Sequence, residues 1–316
     1  MIVALAGGVG GAKLAQGLEL ALSPGELTVV VNTADDFELY GLHISPDVDT
    51  VVYTLAGLAN PATGWGIAGD TRHALDAMVR LGEEPWFLLG DQDLGTHILR
   101  TARLRGGAPL SEVTADFARA LGVKARILPM TDDPVATLVE TPDGILSFQD
   151  YFVRRRQTDD VLGVRFTGIE QARPAPAVLD AIAAADLIVI CPSNPIVSVG
   201  PILALPWIRP ALEETTAPIV AVSPIVGGRA IKGPADKMLA SLGREVSAHG
   251  VAELYAGLIA GIVVDEQDRA LVSRIKGIGM RVVASQTIMG DAGDRRRLAE
   301  EVIAFGRSLA PVGVTP

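Results

Sequence analysis

The stretch Ile2–Leu14, IVALAGGVGGAKL, decides the fold of this chain. An apolar run rich in β-branched residues leads into four glycines, and Lys13 follows inside a predicted helix start. A strand, a tight turn and a helix N-terminus in this order direct backbone amides and the positive end of the helix dipole at one point. The stretch therefore predicts a phosphate-sized anion site, formed by Gly7, Gly8, Gly10, Gly11 and Lys13.

The spacing of these glycines excludes two common phosphate motifs. The Walker pattern requires glycine directly before Lys13 and serine or threonine after it, but Ala12 and Leu14 stand there. The dinucleotide pattern G-x-G-x-x-G, started at Gly8, requires glycine at the position of Lys13. One alternative stays open, in which the glycines serve only to let the helix pack closely on the sheet.

Short Val- and Ile-rich runs alternate with segments of helical spacing along the rest of the chain. This pattern predicts an α/β fold, a Rossmann-like and mostly parallel sheet with helices on both faces. One helix is expected over Gly95–Arg105. The predicted strands are Ile2–Ala6, Leu27–Asn32, Trp86–Leu89, Ala125–Pro129, Leu187–Cys191, Ile219–Ser223, Gly261–Val264 and Arg281–Ser285.

Residues 136–176 have a different pattern from the rest. Two β-prone runs between Ala136 and Phe152 flank Thr141–Gly144, in which Pro-Asp-Gly favours a tight turn. We therefore expect an antiparallel hairpin within a smaller subdomain or insertion over residues 136–176. Residues 1–135 and 177–316 are predicted to form the Rossmann-like, nucleotide- and substrate-binding core.

The composition bounds the class of protein. The chain has 316 residues, 49% hydrophobic and 20% charged, with a net charge of −10, which argues against a nucleic-acid partner. Its one cysteine, Cys191, excludes a disulfide framework and a cysteine-rich zinc site. Glycines interrupt the N-terminal apolar run, so no membrane span is expected. We expect a cytoplasmic protein that acts on small molecules.

Acidic residues gather after the second predicted strand. Asn32 ends that strand, Asp35 and Asp36 follow it, and Asp47 and Asp49 come some residues later in S-P-D-V-D. Ligands of open α/β sheets bind beyond the carboxyl ends of the strands, and carboxylates crowded there repel one another without a cation. We therefore expect Mg²⁺ held by Asp35, Asp47 and Asp49 and completed by substrate. Helix capping or a solvated loop remains the alternative.

Two later loops carry further candidates. Asp91 and His97 come beside the helix predicted at Gly95, where His97 is a base, a substrate hydrogen-bond donor or a structural histidine. Ser193 and Asn194 follow the strand Leu187–Cys191 in a proline-rich loop suited to wrap an anion. No histidine motif accompanies Cys191, so a catalytic thiol is not expected.

Motifs in a fixed order give the chain a resemblance to a known family. Over residues 2 to about 290 it resembles the CofD family, the 2-phospho-L-lactate transferases of coenzyme F-420 biosynthesis. The motifs that carry the resemblance are GGVGGAKL, NTADD, SPDVDTVVYTLAG, GDQDLGTHI, ILPMTDDPVAT, FQDYF, PSNPIVSVGPI and AVSPIVGG.

The resemblance implies a Mg²⁺-dependent transferase and a homodimer. The donor is a guanosine diphospho-linked three-carbon acid, 2-phospholactate or enolpyruvyl phosphate, and the acceptor is the deazaflavin precursor Fo. The terminal ribityl hydroxyl of Fo attacks the phosphorus next to the acid, and GMP leaves. Asp49 and Asp36 are then the catalytic acids, with Asp49 in the motif that binds Fo. Beside the glycine turn and Lys13, the implied substrate contacts are Asn32, Asp49, Leu88, Asp91, His97, Ser193 and Asn194.

One position departs from part of the family. Some members have a basic residue that contacts Fo where this chain has Leu88, which supplies only apolar or backbone contact. Trp65 and Trp86 are suited to stack on the deazaflavin plane, and the alternative is that both are ordinary buried aromatic residues.

Two other functions remain to be weighed. A sister branch resembles the gluconeogenesis factor proteins, non-enzymatic regulators that bind nucleotide-sugars. That branch tends to have GGGTGLS and ADDGGSSGRLR where this chain has GGVGGAKL and ADDFELYGLHI, which favours the transferase. A nicotinamide-dependent oxidoreductase rests on fold analogy alone and does not fit the glycine spacing.

Overall fold

A computed structural model, which describes residues 1–309, contains fourteen strands in four sheets. In chain order the strands are β1 (Ile2–Ala6), β2 (Leu27–Val31), β3 (Phe37–Leu39), β4 (Leu42–Ile44), β5 (Arg126–Pro129), β6 (Ala136–Thr141), β7 (Gly144–Ser147), β8 (Gly163–Thr167), β9 (Leu187–Ile190), β10 (Ile219–Val222), β11 (Ile225–Val226), β12 (Arg229–Ala230), β13 (Gly261–Asp265) and β14 (Arg281–Ser285).

Helices connect most of these strands. They are α1 (Gly8–Ala21), α2 (Pro46–Leu55), α3 (His73–Arg80), α4 (Asp91–Arg105), α5 (Leu110–Ala120), α6 (Val178–Ala183), α7 (Val199–Ala204), α8 (Ile208–Glu214), α9 (Ala235–Ser241), α10 (Ala248–Leu254), α11 (Val272–Gly277) and α12 (Ala292–Leu309), with a π-helix at Asp150–Arg154 and a 3-10 helix at Glu266–Leu271.

The main sheet has seven parallel strands in the order β14-β13-β10-β9-β1-β2-β5. From β1 the chain builds outward through β2 to β5, then returns to place β9 on the other side of β1. The strand order thus reverses between β1 and β9. A crevice opens at such a point because the two connections leave in opposite directions.

Each face of the sheet is buried by helices. Val3 and Leu5 of β1 belong to one apolar cluster, which includes side chains of α7, α8, α10 and α11. Ile2 and Ala4 belong to the other, which is formed with α1, α2 and α12. Successive side chains of a strand point to opposite faces, so a strand buried on both faces has to be apolar throughout. The predicted α/β fold is confirmed.

Two local predictions are wrong. Trp86–Leu89 forms no strand: Leu89 is buried with Leu39 and Ile44, so the apolar run packs on the β3–β4 hairpin instead of entering the sheet. Helix α4 begins at Asp91 and not at Gly95, because the acids before Gly95 occupy its first turn. Short apolar runs do not distinguish strands from buried loops.

The predicted antiparallel hairpin is present as β6 and β7. A third strand, β8, pairs with the other edge of β6, so this small sheet has the order β7-β6-β8. The residues 310–316 at the end of the predicted core segment lie outside the described part of the chain. Between residues 1 and 309, no helix combines the length and the apolar character needed to cross a bilayer.

The packing of α1 on α12 gives a stability prediction. A Cβ atom on Gly17 of α1 would overlap the carbonyl oxygen of Arg295 in α12, which is backbone and cannot move aside alone. We expect Gly17→Ala to lower the free energy of unfolding by about 2 kcal/mol, as measured by urea denaturation.

Gly95→Ala is the matched control, because Gly95 lies inside α4 with open space around its Cβ position. This change removes only the poor helix propensity of glycine and is expected to stabilise the protein by up to about 1 kcal/mol. Equal stability of the two variants would contradict the packing argument.

Candidate functional site

A cavity of about 950 Å³ lies at the carboxyl ends of the strands of the main sheet. It is lined by the loops that follow β1, β2, β9, β10 and β14, together with residues of α2, α4 and the segment 148–157. One end is polar and includes the glycine turn, and the other is lined largely by aromatic side chains. Such a volume is of the size that holds small-molecule ligands.

The glycine turn directs its first amides at side chains of other loops. Gly8 has φ of +62°, a left-handed conformation that favours glycine. The Gly7 amide donates to Oγ of Ser193 at 3.0 Å, and the Gly8 amide donates to Oδ1 of Asp47 at 2.7 Å. The turn therefore ties together the loops after β1 and β9 and the start of α2.

Gly10 and Gly11 also serve close packing. A Cβ atom on Gly10 would overlap the carbonyl oxygen of Pro192, and one on Gly11 would overlap the hydroxyl of Ser193. The packing alternative left open by the sequence thus applies to these two residues. Gly10 nevertheless lines the cavity, whereas Gly11 does not.

Two lysines line the polar end of the cavity. Nζ of Lys13 donates to the carbonyl oxygen of Met289 at 2.9 Å, and Nζ of Lys232 donates to that of Thr63 at 2.9 Å. Burial, together with the charges of Arg295 and Lys232, lowers the pKa of Lys13. Neither lysine forms a salt bridge within residues 1–309, so both are available to an anion.

Asp35 and Asp47 form a pair of buried carboxylates at the cavity wall. Asn32 lies behind them and donates from Nδ2 to both, at 3.0 Å to Oδ2 of Asp47. Burial raises the pKa of Asp47 to about 6 and, with the nearby charge of Asp47, raises that of Asp35. Neither acid has a basic partner in the part of the chain that is described, so the pair suits a hard cation such as Mg²⁺.

Asp49 belongs to a different group of side chains. The guanidinium of Arg100 donates to both carboxylate oxygens of Asp49, with Nη1 3.0 Å from Oδ2. His97 lies between two acids, with Nδ1 3.7 Å from Asp49 and Nε2 3.3 Å from Asp93. The hydroxyl of Tyr53 donates to Asp93 at 2.8 Å. Asp49 is thus already neutralised, unlike Asp35 and Asp47.

Four predicted site residues lie away from the cavity surface. Asp36 accepts from Ser45 Oγ at 2.7 Å and lies 3.1 Å from the ring of His43. Asp91 accepts from two amides of α3 and so caps that helix. Asn32 and Gly11 lie behind the wall, as described above. The cavity brings together the others: Gly7, Gly8, Gly10, Lys13, Asp35, Asp47, Asp49, Leu88, His97, Ser193 and Asn194.

The far end of the cavity is flat and apolar. Trp86 and Leu88 line it, and the guanidinium of Arg154 stacks on Trp86 at 4.6 Å from the ring centroid. Trp65 also lines the cavity, but its segment lies beside the glycine turn, where Gly64 approaches Val9. Phe152 stacks on Phe148 with centroids 5.4 Å apart. Aromatic walls with the cations Arg154 and Arg156 beside them favour a planar, electron-rich ligand.

Arg100 and Arg154 were not predicted as site residues. Arg154 reaches Trp86 from a segment distant in sequence, and no local pattern signals that contact. Arg100 had a signal: polar residues recur with helical spacing in α4 at Asp93, His97 and Arg100. Because the predicted helix begins at Gly95, it does not include Asp93, and the helical spacing of the three residues is missed.

The chain is similar along its whole length to known transferases. The family model described as 2-phospho-L-lactate transferase CofD matches residues 2–303. A phosphoenolpyruvate transferase of Streptomyces coelicolor is 43% identical over 314 residues, which cover 98% of each chain. A 2-phospho-L-lactate transferase of Methanosarcina acetivorans is 43% identical over 304 residues, 96% of this chain and 98% of that one.

A solved structure shares the fold. The crystal structure of a Bacillus halodurans protein of the upf0052 family matches with a TM-score of 0.62 at 18% identity, covering 96% of this chain and 98% of that one. At this identity the likeness establishes the fold alone.

The raised pKa of Asp47 gives a pH prediction. A carboxyl whose pKa rises on folding binds its proton more tightly in the native state, so its ionisation lowers the free energy of unfolding as the pH rises from about 4 to about 6. Asp47→Asn removes this penalty. The free energy of unfolding of the variant relative to wild type should therefore increase over that pH range.

Urea denaturation at a series of pH values measures this difference. Asp180→Asn, which makes the same change on the exposed face of α6, is the control for the substitution itself. A flat profile for Asp47→Asn would mean that the buried carboxyl is not penalised.

Proposed function

Because the chain belongs to the CofD family of 2-phospho-L-lactate transferases, we propose that it transfers a phosphorylated three-carbon acid to the deazaflavin precursor Fo in coenzyme F-420 biosynthesis. The donor is the guanosine diphospho-linked form of that acid, 2-phospholactate or enolpyruvyl phosphate, and GMP is released. The observation that carries the proposal is the cavity with two unlike ends, one cationic and acidic, the other aromatic.

The polar end suits the diphosphate of the donor. Lys13 and Lys232 provide positive charge without acidic partners, and the first turn of α1 adds amides and the helix dipole. The amides of Gly7 and Gly8 already donate to side chains, so phosphate oxygens are expected at the next positions of the turn. Ser193 and Asn194 form the opposite wall of this end.

Asp35 and Asp47 are the residues that would hold Mg²⁺. Their burial, their raised pKa values and their lack of a basic partner in the described residues all favour a bound cation. Bound Mg²⁺ supplies neutralisation of charge on phosphate oxygens. Asn32 fixes the two carboxylates relative to each other, and Asp36 supports the same loop from behind through Ser45 and His43.

The aromatic end suits the planar deazaflavin of Fo. Trp86 offers a face for stacking and Leu88 offers an apolar surface, while Trp65 reaches the same cavity from the side of the glycine turn. With the ring there, the ribityl chain is expected to extend toward Asp49, which lines the same cavity.

The reaction is a single in-line transfer. The oxygen of the terminal ribityl hydroxyl forms a bond to the phosphorus next to the acid, and the bond from that phosphorus to the oxygen bridging to GMP breaks. Asp49 accepts the hydrogen bond of the hydroxyl and takes up its proton. Transfers of this kind depend on positioning and charge neutralisation more than on covalent help from the protein.

Turnover of defined substrates tests the proposal. Purified protein with Fo, Mg²⁺ and the guanylylated donors is expected to release GMP, and the mass of the Fo product shows which acid was transferred. Tight binding of a UDP-sugar with no binding of Fo would instead support the second hypothesis, a non-enzymatic nucleotide-sugar-binding regulator.

The variant Asp49→Asn tests the proposed role of Asp49 as the proton acceptor. The amide cannot take up a proton, so kcat is expected to fall by about 100-fold or more while the fold persists. Steady-state kinetics measures kcat, and circular dichroism measures whether the fold is retained. Asp180→Asn is the control and is expected to have wild-type turnover. Unchanged turnover in Asp49→Asn would remove Asp49 from the mechanism.

A further inference from the structure

Helix α4 presents its polar side to the protein and apolar side chains to solvent. Ile98 and Leu99 are 53% and 59% exposed, which is the reverse of an ordinary surface helix. The side chains that α4 buries are Asp93, His97, Arg100 and Thr101. Burying a charged side chain is costly unless it is paired. We therefore take this row of buried polar side chains on α4 to have a function at the cavity.

Arg100 is the centre of that row. It is 1% exposed and does not line the cavity, whereas its partner Asp49 does. Both terminal nitrogens donate to the two oxygens of Asp49, and Nη1 lies 3.3 Å from Nδ1 of His97. A two-point contact fixes the plane of the carboxylate as well as its position.

The surrounding side chains have the geometry of a metal site. Ligand atoms of Asp49, Asp93 and His97 all lie within 4.8 Å of one another, and all three residues are buried. Nε2 of His97 lies 3.3 Å from Oδ1 of Asp93 without the geometry of a hydrogen bond. The guanidinium of Arg100 supplies the positive charge that a metal ion would otherwise supply here.

We propose that Arg100 is a positioning residue that holds Asp49 as a fixed hydrogen-bond acceptor and keeps a cation out of the group Asp49, Asp93 and His97. The inference rests on the proposed function for its kinetic part, because Asp49 is there the acceptor of the attacking hydroxyl. On this proposal the acids of the cavity fall into two sets. The charge of Asp49 is balanced by the guanidinium of Arg100, and the charges of Asp35 and Asp47 are balanced by a bound metal ion.

Kinetics of Arg100→Met and Arg100→Lys test the positioning role. Arg100→Met should lower kcat by about 100-fold with KM for the donor little changed, because the carboxylate loses its orientation. In Arg100→Ala, whose small side chain leaves room for the ion, added guanidinium chloride should raise kcat at least tenfold. Arg100→Lys, which keeps the charge but not the two-point contact, should retain about a tenth of the wild-type kcat.

Arg103→Met is the matched control on the same helix. Arg103 pairs with Glu112 and Asp116 at the surface, so this variant should show wild-type turnover and no response to guanidinium. Wild-type turnover in any Arg100 variant would overturn the proposal. A loss in Arg100→Ala that guanidinium leaves unchanged would also overturn it, since a packing defect would behave in that way.

Zinc binding gives a readout that does not need turnover. In equilibrium dialysis Arg100→Met should bind one more Zn²⁺ per chain than wild type, since two carboxylates and an imidazole become free to ligate it. Adding His97→Ala to that variant should remove the extra ion. No extra ion in Arg100→Met would overturn the exclusion of a cation by Arg100.

The two sets of measurements separate two failures. If the wild-type protein transfers no group, the proposed function fails, and the zinc comparison still tests Arg100. If Arg100→Met does not fold, the kcat of Arg100→Lys decides the positioning role.

Discussion

Gly10 and Gly11 bring the first turn of α1 against the loop that follows β9, where any side chain would overlap the carbonyl oxygen of Pro192 or the hydroxyl of Ser193. This close approach forms one wall of the crevice where the strand order reverses and leaves the Gly7 amide within hydrogen-bonding distance of that hydroxyl. The positions of the anion end, the acids of α2 and the loop after β9 all follow from it. The glycines therefore shape the site by packing as much as by offering amides.

The buried acids of the cavity are stabilised in two different ways. Asp49 has a guanidinium on both of its oxygens, so its charge is balanced within the protein. Among residues 1–309, the side chains of Asp35 and Asp47 have only Asn32 and a backbone amide as hydrogen-bond donors, and burial raises the pKa of both. Hydrogen bonds alone do not offset the burial of two neighbouring negative charges. Because only Asp49 has a cationic side chain as partner, a metal ion is expected at Asp35 and Asp47 and not at Asp49.

The sequence predicts the sheet and much of the cavity because both depend on local patterns. Strands buried on both faces have to be apolar, and polar residues directly after them have to lie at one edge of a parallel sheet. The prediction of a strand at Trp86–Leu89 is wrong because burial against a hairpin and burial in a sheet require the same apolar side chains. Arg154 could not be found, since its contact with Trp86 joins segments with no shared pattern.

The segment that supplies Arg154 also shows how the aromatic end is closed. Arg156 and Gln157 are consecutive non-glycine residues in the left-handed region, with φ of 51° and 58°, and follow a π-helix that ends at Arg154. Such residues cost about 1 kcal/mol or more each and persist where contacts enforce them. Here the Gln157 amide donates to Tyr151, and Lys237 donates to the Gln157 carbonyl. Because these bonds come from two sides of the turn, the strained conformation is held independently of any ligand. The cavity wall is in this way preorganised before a planar ligand binds.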